Sequence, residues 1–301
     1  MNFPKISIIT PSYNQGNYIE QTIRSVLDQN YPNLEYFVID GGSSDHTVEV
    51  IKKYESRITY WVSEKDNGQT HAINKGLAKA TGDIIAYMNS DDYYLPGSFQ
   101  SVANEYSKNE QAGIIHGICR YVNEAGEKIG EQLASIKEYN EVVDLWNVWW
   151  KRRNFVQPEV FWTRTAFNKV GHFNEALYYV MDYEYWLRIL KTRAEVITIN
   201  QELSCFRRTD VQKSTHSAKV ALELLKVVEP YYLEIGEIAN KKRRALLGNM
   251  YYQKHFLDQI EKSLEASESS LTRWLKLLRI LSKYPCILNS NLFREKMRLY
   301  F

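Results

Sequence analysis

Four aspartates and their neighbours offer the first chemistry in this chain. Asp40 heads Asp40-Gly41-Gly42-Ser43-Ser44-Asp45, Asp66 opens Asp66-Asn67-Gly68-Gln69, and Asp91 and Asp92 close Asn89-Ser90-Asp91-Asp92. Glycine, serine and asparagine let a backbone turn sharply, so each carboxylate taken singly reads as a turn or helix-capping residue. Gathered on one rim, four carboxylates would repel one another unless a cation or a donor-rich ligand compensates. The adjacent Asp91 and Asp92 supply hard oxygen ligands, which suit Mg²⁺ or Mn²⁺ bound through one or two carboxylates and substrate phosphates. Asp40 suits a different task, because a carboxylate accepts hydrogen bonds such as those from a nucleobase or ribose.

The elements that must gather these residues are legible in the hydrophobic pattern. Lys5–Thr10 reads as a short β-branched strand stopping at Pro11, and Leu34–Asp40, Ile58–Ser63 and Asp83–Asn89 read as three more. Between them, Ile19, Ile23, Val26 and Leu27 recur at helical spacing, and Thr47–Tyr54 and Gly68–Ala80 read as helices. Strands alternating with helices imply βαβ units and a largely parallel sheet, whose ligands bind at the carboxyl ends of the strands. All four aspartates fall at or just beyond those ends. Further on, Phe99–Lys108 and Asp182–Lys191 read as helices and Gly113–Asn123 as a strand. Residues 218–283 are helical in pattern, with Pro230 and Gly236 as expected interruptions. The expected organisation is an α/β domain over 1–215 and a helical appendix over 216–301.

Composition removes several classes. The chain has 301 residues, 44% hydrophobic and 25% charged, which is ordinary for a globular protein. Its net charge of +2 makes no case for nucleic acid. The three cysteines, Cys119, Cys205 and Cys286, lie far apart and form no disulfide or zinc framework, which fits a reducing compartment. No apolar run reaches the roughly 18 residues of a spanning helix, and the N-terminus does not read as a signal peptide. The first strand is followed by neither G-x-G-x-x-G nor G-x-x-x-x-G-K-[ST], which disfavours dehydrogenases and P-loop hydrolases. H-E-x-x-H and G-x-S-x-G are also missing.

At this point a family resemblance is carried by whole blocks of sequence. ITPSYNQGNYIEQTIRSVLDQNYPNLEYFVIDGGSSDHT resembles the opening of family 2 glycosyltransferases, inverting enzymes with a GT-A fold. The resemblance continues in order through KDNGQTHAINKGLAKATGDIIAYMNSDD, VQPEVFWTR and MDYEYWLRI, covering residues 4 to about 215. It implies an α/β GT-A domain with a largely parallel central sheet flanked by helices. It also implies that Thr10, Pro11, Tyr13, Asp40 and Asp66 line a nucleotide pocket, that Asp91, with Asp92 beside it, binds the metal, and that Asp182 is the catalytic base. Gln157-Pro158-Glu159 and Trp162 would lie near the acceptor. Trp146, Trp149 and Trp150 fit either a sugar platform or a packed cluster. Two departures stand out. Asn89 occupies the first position of the family's acidic D-x-D motif, and within Phe206–Thr215, where many relatives carry a histidine, this chain has Thr209, with His216 just beyond.

The expected reaction moves a sugar from a nucleoside diphosphate donor, a UDP-sugar by default, to a hydroxyl of a glycan or lipid-linked acceptor. The resemblance places it in bacterial surface polysaccharide assembly. A carboxylate of ordinary pKa near 3.9 is a weak base, so proton transfer to Asp182 must accompany attack. Without the resemblance, Asp182 reads as the N-cap of the helix that follows it. A sugar-phosphate nucleotidyltransferase is the alternative enzyme, though no glycine-rich loop bearing Lys or Arg follows the first strand. A catalytically silent nucleotide- or glycan-binding protein of the same fold is the third reading.

The tail differs from the body. Residues 271–301 carry a net charge of +6, whereas residues 1–270 carry −4. At about 100° per residue, Leu271, Trp274, Leu275, Leu278 and Leu281 fall on one side of a helix, with Ile280 as the exception. Arg273, Lys276, Arg279 and Lys283 fall on the other. The expectation is a cytoplasmic protein held peripherally on the inner face of the cell membrane by an amphipathic segment on anionic lipid. An ordinary packing helix with a solvated basic side has the same pattern.

Overall fold

The computed structural model describes residues 3–149, 151–209, 212, 217–234, 248–252, 269–290 and 293–294. The chain divides into two compact units, Met1–His216 and Ser217–Phe301. In the first unit the order is β1 (Ile6–Ser12), α1 (Ile19–Leu27), β2 (Leu34–Asp40), α2 (Thr47–Lys53), β3 (Tyr60–Ser63), α3 (Gln69–Leu77), β4 (Ile84–Tyr87) and β5 (Tyr93–Tyr94). There follow α4 (Ser98–Lys108), β6 (Ile114–Val122), β7 (Lys128–Leu133), α5 (Tyr139–Val143), β8 (Val160–Thr163), α6 (Arg164–Val170), α7 (Met181–Lys191) and β9 (Val196–Arg207).

Among the described residues nine strands form one sheet in the order β3-β2-β1-β4-β8-β6-β9-β5, with β7 paired to β6. The half from β3 to β4 is wholly parallel. Every residue of β1 is buried, as expected of a central strand covered by helices on both faces. The other half is mixed: β8 runs antiparallel to β4 and β6, while β9 runs parallel to β6.

One boundary differs from the sequence pattern for a physical reason. β1 continues through Pro11 to Ser12, which pair with Ile39 and Asp40 of β2. Its pairing with β4 ends at Ile9 opposite Tyr87, so β4 asks no hydrogen bond of the proline nitrogen.

The second unit contains α8 (Ser217–Glu234), a short helical segment at 248–252, α9 (Ser270–Lys283) and a tight turn over Pro285–Asn289. Pro230 lies within α8 and does not interrupt it; the ring is exposed. Gly236 and His216 lie outside the described residues. Ser269 caps α9, its hydroxyl accepting from Thr272 N at 3.2 Å. The core here is Tyr252, Leu277, Ile280, Ile287 and Phe293, with Tyr251, Leu281 and Tyr284 packed against it.

Candidate active site

The carboxyl ends of β1, β2 and β3 are tied into one platform by hydrogen bonds between their loops. Gly41 N donates to Ser12 O at 2.8 Å, and Glu64 N donates to Asp40 O at 3.0 Å. The loop after β1 is held by the loop after β2: Asn14 N donates to Ser43 Oγ at 2.7 Å, and Ser44 N to Asn14 Oδ1 at 2.9 Å. Gly16 N donates to Asp45 Oδ2 at 3.0 Å, and a Cβ on Gly16 would meet the exposed His46 ring at 2.6 Å, so a larger residue there requires that ring to move. Burial works against the Asp45 charge, but hydrogen bonds from Thr47 and Gly16 hold its carboxyl below its ordinary value.

Asp40 sits at the centre of this platform and is fully buried. Its Oδ2 accepts from Gly42 N at 3.1 Å, Ser43 N at 2.9 Å and Ser63 Oγ at 2.6 Å, and Oδ1 accepts from Ser43 Oγ. Four donors nearly fill the lone-pair capacity of a carboxylate, so in this structure Asp40 shapes the Gly41-Gly42-Ser43 turn. Asp66 closes over that turn. Its Oδ1 accepts from Gly68 N at 2.7 Å, and a Cβ on Gly41 would stand 2.8 Å from its Oδ2. Tyr13 projects from the rim with its ring 62% exposed. Thr10 and Pro11 are buried within β1, and the Thr10 hydroxyl shares a 3.1 Å hydrogen bond with Tyr36 OH. Thr10 therefore supports the pocket from beneath and presents no hydroxyl to a ligand.

The acidic turn after β4 is the second part of the site. Asp92 is buried, and its Oδ1 accepts from Arg207 N at 2.8 Å. The Arg207 guanidinium donates from Nε to Asp91 O at 3.1 Å and from Nη1 to Glu124 O at 2.7 Å, and it also bonds Gln21. It is sandwiched between the rings of Tyr18 and Tyr93, 5.2 and 5.6 Å from their centroids. Burial and the neighbouring Asp91 charge push the Asp92 carboxyl well above its ordinary range, which the Arg207 N–H only partly offsets. Asp92 is thus a structural group locked to the end of β9, and the metal role expected of it beside Asp91 does not suit a carboxyl so placed. Asp91 is partly exposed, and its Oδ2 accepts from Gln212 Nε2 at 3.3 Å. Burial also raises its proton affinity, against the opposing effects of Gln212 and Arg207.

These surroundings fit a hard divalent cation. Among the described residues no group of three or more His, Cys, Asp or Glu side chains gathers to form a protein-only cage. Mg²⁺ and Mn²⁺ need none, since they take one or two carboxylates and complete their shells with phosphates and water. A cation would also offset the cost of keeping Asp91 ionised beside Asp92.

Asn89 explains its own departure from an acidic first position. Its Oδ1 accepts from Gln69 Nε2 at 2.6 Å, and its Nδ2 donates to Gln157 Oε1 at 3.0 Å. Gln157 Nε2 donates in turn to Tyr87 O at 2.7 Å. A chain of amides thus ties the acidic turn to α3 and to the segment before β8, and an aspartate could not serve as the donor in its middle.

Asp182 reaches the same region on α7. The helix begins at Met181 with Val180 as its cap, so Asp182 stands inside the first turn, where a negative charge complements the helix dipole. α7 is held by rings: Tyr185 stacks on Phe173 at 3.9 Å and meets Trp162 edge-on at 5.3 Å, and Trp186 meets Phe155 at 5.3 Å. Arg188 pairs with Glu184 at 2.8 Å and bonds the carbonyls of Val170 and His172. The last residue of β4, Tyr87, links Asp182 to the acidic turn. Burial raises its phenol well above the ordinary value, and the charges of both Asp182 and Asp92 add to the effect.

Two acceptor-side expectations are corrected. Trp162 is in the core, 1% exposed, against Tyr87, Phe173 and Tyr185, so it offers no face to a sugar. Glu159 is also fully buried, beside His116. Trp149 packs edge-on against Tyr183 at 5.1 Å; Trp150 and the side chain of Trp146 lie outside the described residues. Gln69, Arg207 and Gln212 also serve the site, and the only local signal of each is a polar residue beside a strand or helix end.

The model of the glycosyl transferase family 2 matches residues 7–175, and the chain belongs to that family. Its curated relatives are named as glycosyltransferases, and the chain spans between 31% and 69% of the length of the first of them. The putative teichuronic acid biosynthesis glycosyltransferase TuaG of Bacillus subtilis is 42% identical over 92 residues, 30% of this chain and 36% of its own. Among solved structures, S. aureus TarS in complex with UDP-GlcNAc superposes with a TM-score of 0.63 at 15% identity, over 93% of this chain and 80% of that one. The mannosyltransferase PcManGT from Pyrobaculum calidifontis, in complex with GDP-Man and Mn²⁺, gives 0.60 at 16%, over 98% and 83%. The fold is GT-A, and the chain is a glycosyltransferase of family 2.

Proposed function

We propose that this chain transfers a sugar from a nucleoside diphosphate sugar to a hydroxyl of a glycan or lipid-linked acceptor, with inversion at the anomeric carbon. The observation that carries the proposal is that Tyr87, the last residue of β4, is followed by the acidic turn and lies within reach of the Asp182 charge. Asp91 stands partly exposed on the acidic turn, and Asp182 stands on the first turn of α7, its charge felt at Tyr87. The Asp40 platform and Tyr13 receive the nucleoside, and Asp66 braces the platform. A divalent cation at Asp91, Mn²⁺ or Mg²⁺, supplies electrostatic stabilisation of the departing diphosphate when bound.

The acceptor oxygen attacks the anomeric carbon from the face opposite the diphosphate. Its new bond to carbon forms as the bond from carbon to the phosphate oxygen breaks, and the electron pair leaves with the diphosphate. Asp182 takes the hydroxyl proton during this displacement. A carboxylate of ordinary basicity cannot remove that proton in advance, so alignment of the two reactants is the main contribution of the site. UDP is the preferred nucleotide, in line with the UDP-GlcNAc held by TarS. Surface polysaccharide synthesis is the favoured setting, in line with the teichuronic acid role named for TuaG.

The test is a donor panel. Purified protein is incubated with Mn²⁺ and UDP-, GDP- or dTDP-sugars, and free nucleoside diphosphate is measured. Release of nucleoside diphosphate from one donor class supports the reading. Release of pyrophosphate from a nucleoside triphosphate and a sugar phosphate would replace it with nucleotidyl transfer.

A further inference from the structure

α9 carries three faces where a packing helix needs only two. Leu277 and Ile280 are buried in the second unit's core, with Leu281 packed beside them. Leu271, Leu275 and Leu278 are 71%, 59% and 55% exposed, and Trp274 on the same arc is 41% exposed. At about 100° per residue the exposed apolar residues fall within an arc of roughly 100°, which adjoins the buried arc where Trp274 meets Leu281 and is separated from it by the cations on the other side. Lys276, Arg279 and Lys283 are exposed and fill the arc between the exposed leucines and the core. Leu281, expected on the open side, is drawn into the core, and Ile280 is its partner there, no longer an exception.

Contiguous exposed leucines mark an interaction surface more often than a solvated one. The charge beside them selects the occupant. A second copy of this chain meeting face to face across a two-fold axis would bring Arg279 and Lys283 against a surface of the same sign. An anionic lipid surface offers acyl chains to the leucines and phosphates to the cations at the adjacent depth. Residues 271–301, with a net charge of +6, extend the same sign beyond the helix. Among the described residues no helix is long and apolar enough to cross a bilayer, so the contact would be in the plane of the surface.

We propose that the Leu271–Leu275–Leu278 face of α9 seats this protein on an anionic phospholipid bilayer, with Lys276, Arg279 and Lys283 at the headgroup phosphates. The test is co-sedimentation of the full chain with vesicles of phosphatidylcholine alone and of phosphatidylcholine mixed with phosphatidylglycerol. The protein is expected to partition onto the mixed vesicles and to be released as salt rises. Replacing two cations, in R279Q/K283Q, should weaken partitioning on the order of 30-fold, from about 1 kcal/mol for each basic residue at an anionic surface. The triple variant L271S/L275S/L278S should not partition even at low salt. Because these side chains are exposed, circular dichroism and nucleoside diphosphate release in solution should match wild type in both variants. Failure of wild type to bind the mixed vesicles, or equal binding by wild type and both variants, would overturn the proposal. So would self-association that the triple variant abolishes without any vesicle binding, which would assign the face to another protein surface.

Discussion

The two halves of the sheet in the first unit use polar residues in opposite ways. From β3 to β4, polar side chains lie at the strand ends and bond backbone N–H groups of the loops there, Asp40 those of its own turn and Asn14 and Asp45 those of the neighbouring loop. From β8 to β9, they lie in or beside the strands and face inward: Gln157 on Asn89 and Tyr87, Arg207 on the acidic turn, Glu159 on His116. The first half forms the surface a nucleotide would meet. The second half holds that surface in place from behind and supplies Asp182 from α7. A substitution in the two halves should therefore fail differently, one in ligand binding or chemistry and the other in the positions of groups it never exposes.

The largest effect is expected at the acidic turn. Asp91→Ala should lower transfer by about three orders of magnitude, the scale of a lost metal-based stabilisation of several kcal/mol, while the melting temperature stays near wild type. Undiminished transfer in excess chelator would contradict this. Asp182→Asn preserves shape but cannot take the proton, so turnover should fall roughly 10²- to 10⁴-fold with KM for the donor little changed. A large rise in donor KM would make Asp182 a donor-binding group.

Gln157→Ala tests the supporting half. It leaves a buried Tyr87 carbonyl and the Asn89 amide without their partners, at a cost of about 1–3 kcal/mol in urea unfolding. Turnover should drop roughly 10- to 100-fold through a displaced acidic turn, although Gln157 touches neither reactant. Wild-type values for both would show that the amide chain is incidental.

The smallest effect concerns the buried pair behind the site. Glu159 Oε1 lies 3.9 Å from His116 Nδ1, and both residues are fully buried. Burial pushes the Glu159 carboxyl well above its ordinary range and lowers the His116 imidazole to about 4, so burial disfavours the charged form of both. A carboxyl with raised folded-state proton affinity favours folding at low pH and loses that advantage as pH rises past 4.5, where the unfolded group ionises first. Wild type should thus lose stability relative to Glu159→Gln as pH climbs from 4.5 towards neutrality. His116 has the opposite slope between about 4 and 6.5, because the unfolded ring takes up a proton that the folded one refuses. His116→Gln should remove that slope. Melting curves parallel to wild type across this range would sink both expectations.

The parallel half was legible in the sequence because its signals are local. Apolar β-branched runs stop at Gly, Asn and Asp, and those turn residues put the aspartates at strand ends. The mixed half showed β6 and α7 but hid its other strands. β7 is a short, largely exposed strand, KIGEQL, and β9 pairs with β6 through register shifts near His116 and Ile118 that break any alternation. Its polar contacts join residues far apart in the chain, as Arg207 to Asp91 and Gln157 to Asn89, and no spacing announces them. Trp162 shows the same limit from the other side: a tryptophan near a family motif looks like a sugar platform until Tyr87, Phe173 and Tyr185 are packed against it. In the second unit, periodicity identified α9 but did not divide its wide apolar arc into the part buried in the core and the part left exposed.

The central claim is that Asp91 binds donor through a metal while Asp182 acts only in the chemical step. Calorimetric titration of UDP into wild type, Asp91→Ala and Asp182→Asn, each with and without Mn²⁺, separates the two roles. Wild type and Asp182→Asn should bind with similar affinity only when Mn²⁺ is present, and Asp91→Ala should lose the metal-dependent part. Equal binding with and without Mn²⁺ in wild type, or metal-dependent binding that survives in Asp91→Ala, would contradict the claim.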